Sequence, residues 1–182
     1  MRCFLALLPG AASRQALQRC RDSLARDGAA HGVRWLDAQS LHMTLRFFGD
    51  ADDAQRERLQ RALPVLACTL PALAARRHAI WPNRARPRLL VLELSAPTPL
   101  LALAATCEAL ARDCGFAAEP RDFRAHLTLA RLRPGCALAL PAAPQTTLRF
   151  DTLALLQSTL TQAGSIYRPL ATAPIPAAGI PA

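Results

Sequence analysis

Ser40-Leu41-His42-Met43-Thr44-Leu45-Arg46-Phe47-Phe48-Gly49 and Arg124-Ala125-His126-Leu127-Thr128-Leu129-Ala130-Arg131 carry the same phrase, His-x-Thr-Leu, 84 residues apart. With 4 His, 11 Thr and 32 Leu in 182 residues, chance supplies that phrase about 0.04 times. Two copies are therefore a signal. Both segments alternate as strands do, so His42 and Thr44 project from one face and Met43, Leu45 and Phe47 from the other. His126 and Thr128 likewise oppose Leu127 and Leu129.

The surroundings of the two phrases also repeat. In the first half an apolar strand, Phe4 to Leu8, leads into a helix from about Ser13 to Asp27, with Ser13 as N-cap. Leu17, Cys20 and Leu24 share its buried face, and Gly28 suits the position after its end. In the second half the strand Leu89 to Leu94 leads into a helix opened by Thr98 as N-cap and Pro99. Leu100, Leu103, Cys107, Leu110 and Cys114 form its stripe, and Gly115 ends it. Between the halves, Asp53 to Leu66 reads as a helix with Leu59, Ala62, Leu63 and Leu66 inward and Pro64 ending or kinking it. Cys68 to Ile80 reads as strand running into an irregular crossover at Trp81-Pro82-Asn83. Thr146 to Leu160 reads as strand in a hairpin with Ile166 to Leu170 across Gln162-Ala163-Gly164, and residues 173–182 as a loose tail. The pattern predicts one domain over residues 1–182, of α+β class and bilobal, its two interleaved, pseudo-symmetric lobes each carrying antiparallel strands and a helix and facing across a central cleft.

Composition limits the function classes. Hydrophobic residues make up 52% and charged residues 19%, which excludes disorder and fibrous repeats. The net charge of +9 points toward a polyanion, although all 22 basic residues are arginine, as a GC-rich genome would also produce. Six cysteines, at 3, 20, 68, 107, 114 and 136, include no Cys-x-x-Cys pair and none within four residues of a histidine, so metal-ligand spacing is missing. They read as reduced thiols of a cytoplasmic protein. The apolar run at the start stops at Leu8, too short for a signal peptide, and no stretch reaches membrane-spanning length.

Two facing strands that each present an imidazole and a hydroxyl would converge four groups on one volume. That set suits a phosphodiester. One neutral histidine accepts a proton from the attacking oxygen while the other, protonated, donates to the leaving oxygen. The hydroxyls of Thr44 and Thr128 can hydrogen-bond the non-bridging oxygens as their charge grows. Acid, base and anion stabilisers are then all protein groups, so no metal and no cofactor is expected. On the residues alone the two histidines are interchangeable in role.

The paired motifs resemble those of the 2H phosphoesterases, specifically the LigT-like RNA 2′,3′-cyclic phosphodiesterases, also called 2′-5′ RNA ligases. Phe4-Leu5-Ala6-Leu7-Leu8-Pro9 is similar to that family's opening strand, Trp81-Pro82-Asn83 with Pro87-Arg88-Leu89-Leu90 to its crossover, and Tyr167-Arg168-Pro169-Leu170 to its closing strand. The sequence departs at Ala125, where the family often has proline. The resemblance implies hydrolysis of an RNA 2′,3′-cyclic phosphate end, a tRNA-like fragment among the candidates, to a 2′-phosphomonoester. It assigns His42 as proton donor and His126 as proton acceptor. Reversal with a 5′-hydroxyl end would give 2′-5′ ligation without ATP. A monomer without membrane association is expected. The rival readings are a 2H enzyme acting on a small cyclic nucleotide or a 2′-5′ oligoadenylate and, in a different class, a non-catalytic RNA-binding module.

Strict alternation places Arg46 and Phe48 on the His42 face, where they would meet a phosphate and a base, against the plainer reading that Phe48 is core. It turns Arg131 away from His126. His31 and His78 read as structural, and Arg76, Arg77, Arg84, Arg86 and Arg88 as either an RNA-backbone track or a solvated loop.

Overall fold

The computed structural model describes residues 1–27, 31–136, 138–162 and 164–176. In chain order these form β1 (Arg2–Pro9), α1 (Ala11–Asp27), β2 (Val33–Trp35), a 3-10 turn at Ala38–Ser40, β3 (Met43–Asp50), α2 (Asp53–Leu66), β4 (Leu73–Asn83) and β5 (Arg86–Leu94). There follow α3 (Thr98–Asp113), β6 (His126–Leu132), β7 (Thr147–Leu148), β8 (Phe150–Thr161) and β9 (Gly164–Pro174). The strands make two antiparallel sheets, one in the order β3-β1-β8-β9 and the other β2-β6-β5-β4-β7. Each motif strand thus has its own sheet, and β3 and β6 approach within 8 Å, Cα to Cα.

The halves of the sequence are not the sheets. The first sheet joins the two ends of the chain, because β1 lies between β3 and β8, while β2 crosses to the edge of the second sheet beside β6. The helices cross as well. α1 follows β1 but leans on the second sheet, where Cys20 Sγ lies 3.4 Å from His78 Nε2, and α3 follows β5 but packs on β3. One continuous core results: Leu5 and Leu7 of β1, Leu90 and Leu92 of β5, Leu127 of β6 and Leu153 of β8 belong to a single cluster with Leu17, Leu59, Leu63, Leu100 and Cys107 from the helices. Each fully buried leucine there contributes about 1.5–3 kcal/mol, so the relative position of the sheets is fixed by the same side chains that hold each one together.

Local expectations mostly hold, with corrections. α2 begins at a capping box in which Asp52 and Gln55 exchange bonds, and it tolerates Pro64 in its last turn. Ser13 is not an N-cap: α1 starts two residues earlier, and the Ser13 hydroxyl accepts from the Arg149 amide, 2.8 Å, tying the helix to the segment before β8. Thr98 is likewise inside α3, whose N-cap is Pro97 with no side-chain bond. Gly28 lies outside the described residues, whereas Gly115, at φ +86°, takes the left-handed conformation that ends α3. Trp81-Pro82-Asn83 ends β4 and pairs with Arg86 to Leu89, so it is strand and not a crossover, though an irregular one, with a register shift between Trp81 and Pro82. Residues 173–176 of the expected tail are not loose: Ala173 and Ile175 are buried, and the Ile175 amide donates to the Asp151 carbonyl, because β9 continues the sheet to Pro174, while residues 177–182 lie outside the described residues. His78 is buried, with Nδ1 3.0 Å from the Pro141 carbonyl oxygen, as a structural histidine should be. The cysteines are free thiols; Cys3, Cys107, Cys114 and Cys136 are buried, and burial pushes Cys107 up to about 12. Among the described residues no helix is long and apolar enough to cross a membrane.

Candidate active site

His42, immediately before β3, and His126, the first residue of β6, stand at corresponding places and are held in the same way. His42 Nδ1 is 2.8 Å from the Ser40 carbonyl oxygen, and His126 Nδ1 is 2.7 Å from the Arg124 carbonyl oxygen, each two residues upstream. A carbonyl can only accept, so in both rings Nδ1 carries the hydrogen and Nε2 is left as the exchangeable position. The rings are also wedged. His42 lies against Phe4 and Tyr167, with centroids at 4.9 and 4.8 Å, and His126 against Trp81 at 4.3 Å. Burial lowers both imidazoles below their ordinary value, opposed by the carbonyl hydrogen bonds. The charge of His126 lowers His42 further, so the two rings feel one another across the cleft. Thr44 and Thr128 are half-buried beside them, and neither hydroxyl makes a hydrogen bond within the described residues.

A shared irregularity shapes what surrounds these groups. Ala6 faces Thr44 but Leu5 faces Arg46, so Leu45 is an extra residue in β3. Val91 faces Thr128 but Leu90 faces Ala130, so Leu129 is extra in β6. The fourth residue of each His-x-Thr-Leu phrase is therefore a bulge, and beyond it the alternation inverts. This corrects the expectations for Arg46, Arg131 and Phe47 and bears out the plainer reading of Phe48 as core. Arg46 turns into the core, where its Nε is 2.5 Å from Glu108 Oε2 of α3 and its other nitrogens donate to the carbonyls of Phe47 and Ala117. Phe48, extra at a second register slip, is buried against Phe116, 5.0 Å between centroids. Arg131 instead joins the His126 face, since it lies opposite Leu89 on the same side as Val91 and Glu93, the residues facing Thr128 and His126. Phe47, expected in the core, emerges on the cleft side against Phe4 at 6.2 Å, with the Arg2 guanidinium 5.2 Å from its ring.

Several side chains at the site escaped the sequence reading. Glu93 lies opposite His126 and gathers three donors: Arg77 Nε at 2.7 Å, Arg124 at 2.6 Å and Trp81 Nε1 at 3.0 Å. Burial raises its carboxyl, but those donors and charges outweigh it and hold Glu93 below the usual carboxylate range. The Arg124 guanidinium in turn lies 4.0 Å over the Trp81 ring. Glu93 was findable, as the single charge inside the apolar strand Leu89 to Leu94. Tyr167 was not, because its partner His42 is 125 residues away. Next to His42 opens a cavity of about 350 Å³, walled by Leu8, Leu156, Tyr167 and Pro169 and rimmed by Asp37 and Gln39.

The sequence model of the family described as LigT-like phosphoesterase matches residues 8–91. A curated protein of Aeropyrum pernix named RNA 2′,3′-cyclic phosphodiesterase is 26% identical over 85% of this chain and 92% of its own length. One of the same name from Methanothermobacter thermautotrophicus is 28% identical over 92% and 95%. The crystal structure of a Thermus thermophilus protein superposes with a TM-score of 0.82 at 22% identity, covering 96% of this chain and 98% of that one. The likeness extends past the first motif to the whole bilobal fold.

Proposed function

We propose that the chain, similar over residues 8–91 to the LigT-like phosphoesterases and over most of its length to proteins named RNA 2′,3′-cyclic phosphodiesterase, hydrolyses 2′,3′-cyclic phosphates at RNA ends to 2′-phosphomonoesters, with His42 as the acid and His126 as the base. The observation that carries the reading is the matched pair of imidazoles, each with Nδ1 tied to a carbonyl and Nε2 free, on strands that abut across the cleft.

Water attacks phosphorus, giving its proton to one Nε2, and the bond to the 3′-oxygen breaks as the other Nε2 delivers a proton to that oxygen. The charge gathering on the non-bridging oxygens is met by the Thr44 and Thr128 hydroxyls. Symmetry between the histidines is broken by Arg124, whose charge disfavours a protonated His126 more than Glu93 restores it. A neutral His126 relieves His42 of its repulsion, and the order of roles proposed here, acid on His42 and base on His126, follows the resemblance to the family. The pair holds one proton between two sites. With a 5′-hydroxyl RNA end in place of water, the reverse reaction forms a 2′-5′ linkage by the same two transfers.

The test uses an oligonucleotide ending in a 2′,3′-cyclic phosphate, in EDTA, with the product phosphate located by ³¹P NMR. Wild-type protein is expected to yield the 2′-phosphate, and His42→Ala and His126→Ala each to lower kcat by about 10²-fold or more. Retention of activity by either variant sinks the mechanism. RNA binding without turnover of any cyclic phosphate by the wild type would point to a non-catalytic binding module.

A further inference from the structure

The cavity beside His42 has walls and a rim of different chemistry. Tyr167, set in a T-shaped contact with His42, forms one wall with Leu8, Leu156 and Pro169, giving an apolar slot next to an aromatic ring. The rim is polar and, on a chain of net charge +9, carries an acid: Asp37, together with Gln39. A carboxylate at the edge of a phosphate-binding cleft opposes the substrate's charge unless it meets hydrogen-bond donors on another part of the substrate. Asp37 has capacity for that. Its Oδ1 accepts from the Gln39 amide at 2.8 Å, while its other oxygen and the whole Gln39 side-chain amide make no hydrogen bond within the described residues.

Building on the proposed action at cyclic phosphate ends, we propose that this cavity holds the nucleobase of the cyclic nucleotide and that Asp37 and Gln39 make it prefer guanine. Guanine presents two adjacent N–H donors and one carbonyl acceptor along its Watson–Crick edge. A carboxylate accepts from the two donors and a side-chain amide donates to the carbonyl, whereas adenine, cytosine and uracil each place an acceptor where the carboxylate needs a donor. Tyr167 supplies the stacking face and at the same time wedges His42, so that base binding and placement of the acid share one side chain.

The experiment compares kcat/KM for the guanosine, adenosine, cytidine and uridine 2′,3′-cyclic monophosphates on wild type, Asp37→Asn and Gln39→Ala. The guanosine compound is expected to exceed each of the others by roughly tenfold in the wild type, and Asp37→Asn to collapse that ratio toward one. Gln39→Ala is expected to lower it less. Asparagine keeps an oxygen for the Gln39 amide, so a purely capping role for Asp37 leaves the ratio between nucleotides unchanged in that variant, and such a result overturns the inference. Equal turnover of all four by the wild type overturns it too while leaving the proposed activity standing; a wild type inert on all four, and on a cyclic-phosphate-ended oligonucleotide, overturns both.

Discussion

At the residue scale, the two histidines are tuned by burial before they are tuned by each other. Because both titrate below the ordinary imidazole value, and a two-histidine mechanism needs one protonated and one neutral ring, kcat/KM is expected to describe a bell whose maximum lies below about pH 6.5. Tyr167→Ala removes part of what desolvates His42 and should move the bell toward higher pH; a bell that stays in place assigns the low value to something other than the Tyr167 wall. Stability follows the same groups. Depressed folded-state values mean that the unfolded chain binds protons first, so the contribution is intact above about 6.5 and is lost as pH falls below it toward the folded values. His42→Gln should therefore flatten the fall in urea midpoint between pH 7 and 5. His42, Thr44, His126 and Thr128 were all legible as a set, because a four-residue phrase repeated at low odds needs no structure to be noticed. The order of acid and base was not legible in the residues themselves, since the two phrases are alike and the proposed order follows the family resemblance; the stack of Arg124 on Trp81 beside His126 is a tertiary contact that no local pattern announces.

At the scale of elements, the three helices and the longer strands were readable to within a few residues, but β2 was not read at all, β7 and β8 were read as one strand, and the two bulges were not legible. Leu45 and Leu129 look like any strand leucine, and the register slip exists only between strands. That slip decides which arginine is structural. Arg46, the residue after the β3 bulge and 7% exposed, is held by an ionic contact to Glu108 and by two carbonyls, while Arg131, two residues after the β6 bulge, is exposed on the cleft side. Glu108→Ala leaves the buried guanidinium without its counter-charge and should cost about 3 kcal/mol. That is the low end for breaking a buried pair, because Glu108 is 30% exposed. In a thermal melt this corresponds to a Tm lower by roughly 10 °C. The double variant Arg46→Met, Glu108→Leu removes both charges and should lose less than the single one; a larger loss would mean that the carbonyl bonds of Arg46, not the ion pair, secure β3 to α3.

At the scale of the whole molecule, the excess of arginine acquires a location. Arg131 and its β2 neighbour Arg34 lie opposite one another on the cleft face, and the Arg34 guanidinium occupies the space where a Cβ on Gly164 would stand, against the β8–β9 hairpin of the other sheet. Arg131→Ala is expected to raise KM for an RNA substrate and to reduce the slope of log KM against log salt by about one, with a much smaller change for a mononucleoside cyclic phosphate. Equal salt dependence for both substrates would make the charge a matter of composition only. The sequence read as two interleaved lobes, but local patterns could not reveal that β1 pairs with β8, because strand pairing at that separation leaves no periodicity. That pairing has a consequence for synthesis. A ribosome completes β2 to β6, and with them most of the second sheet, while β1 and β3 still await the neighbours that flank β1 and wall His42. A nascent chain stopped short of β8 and β9 carries both histidines and an open sheet edge but no Tyr167, so it is exposed to aggregation before it is able to act on RNA.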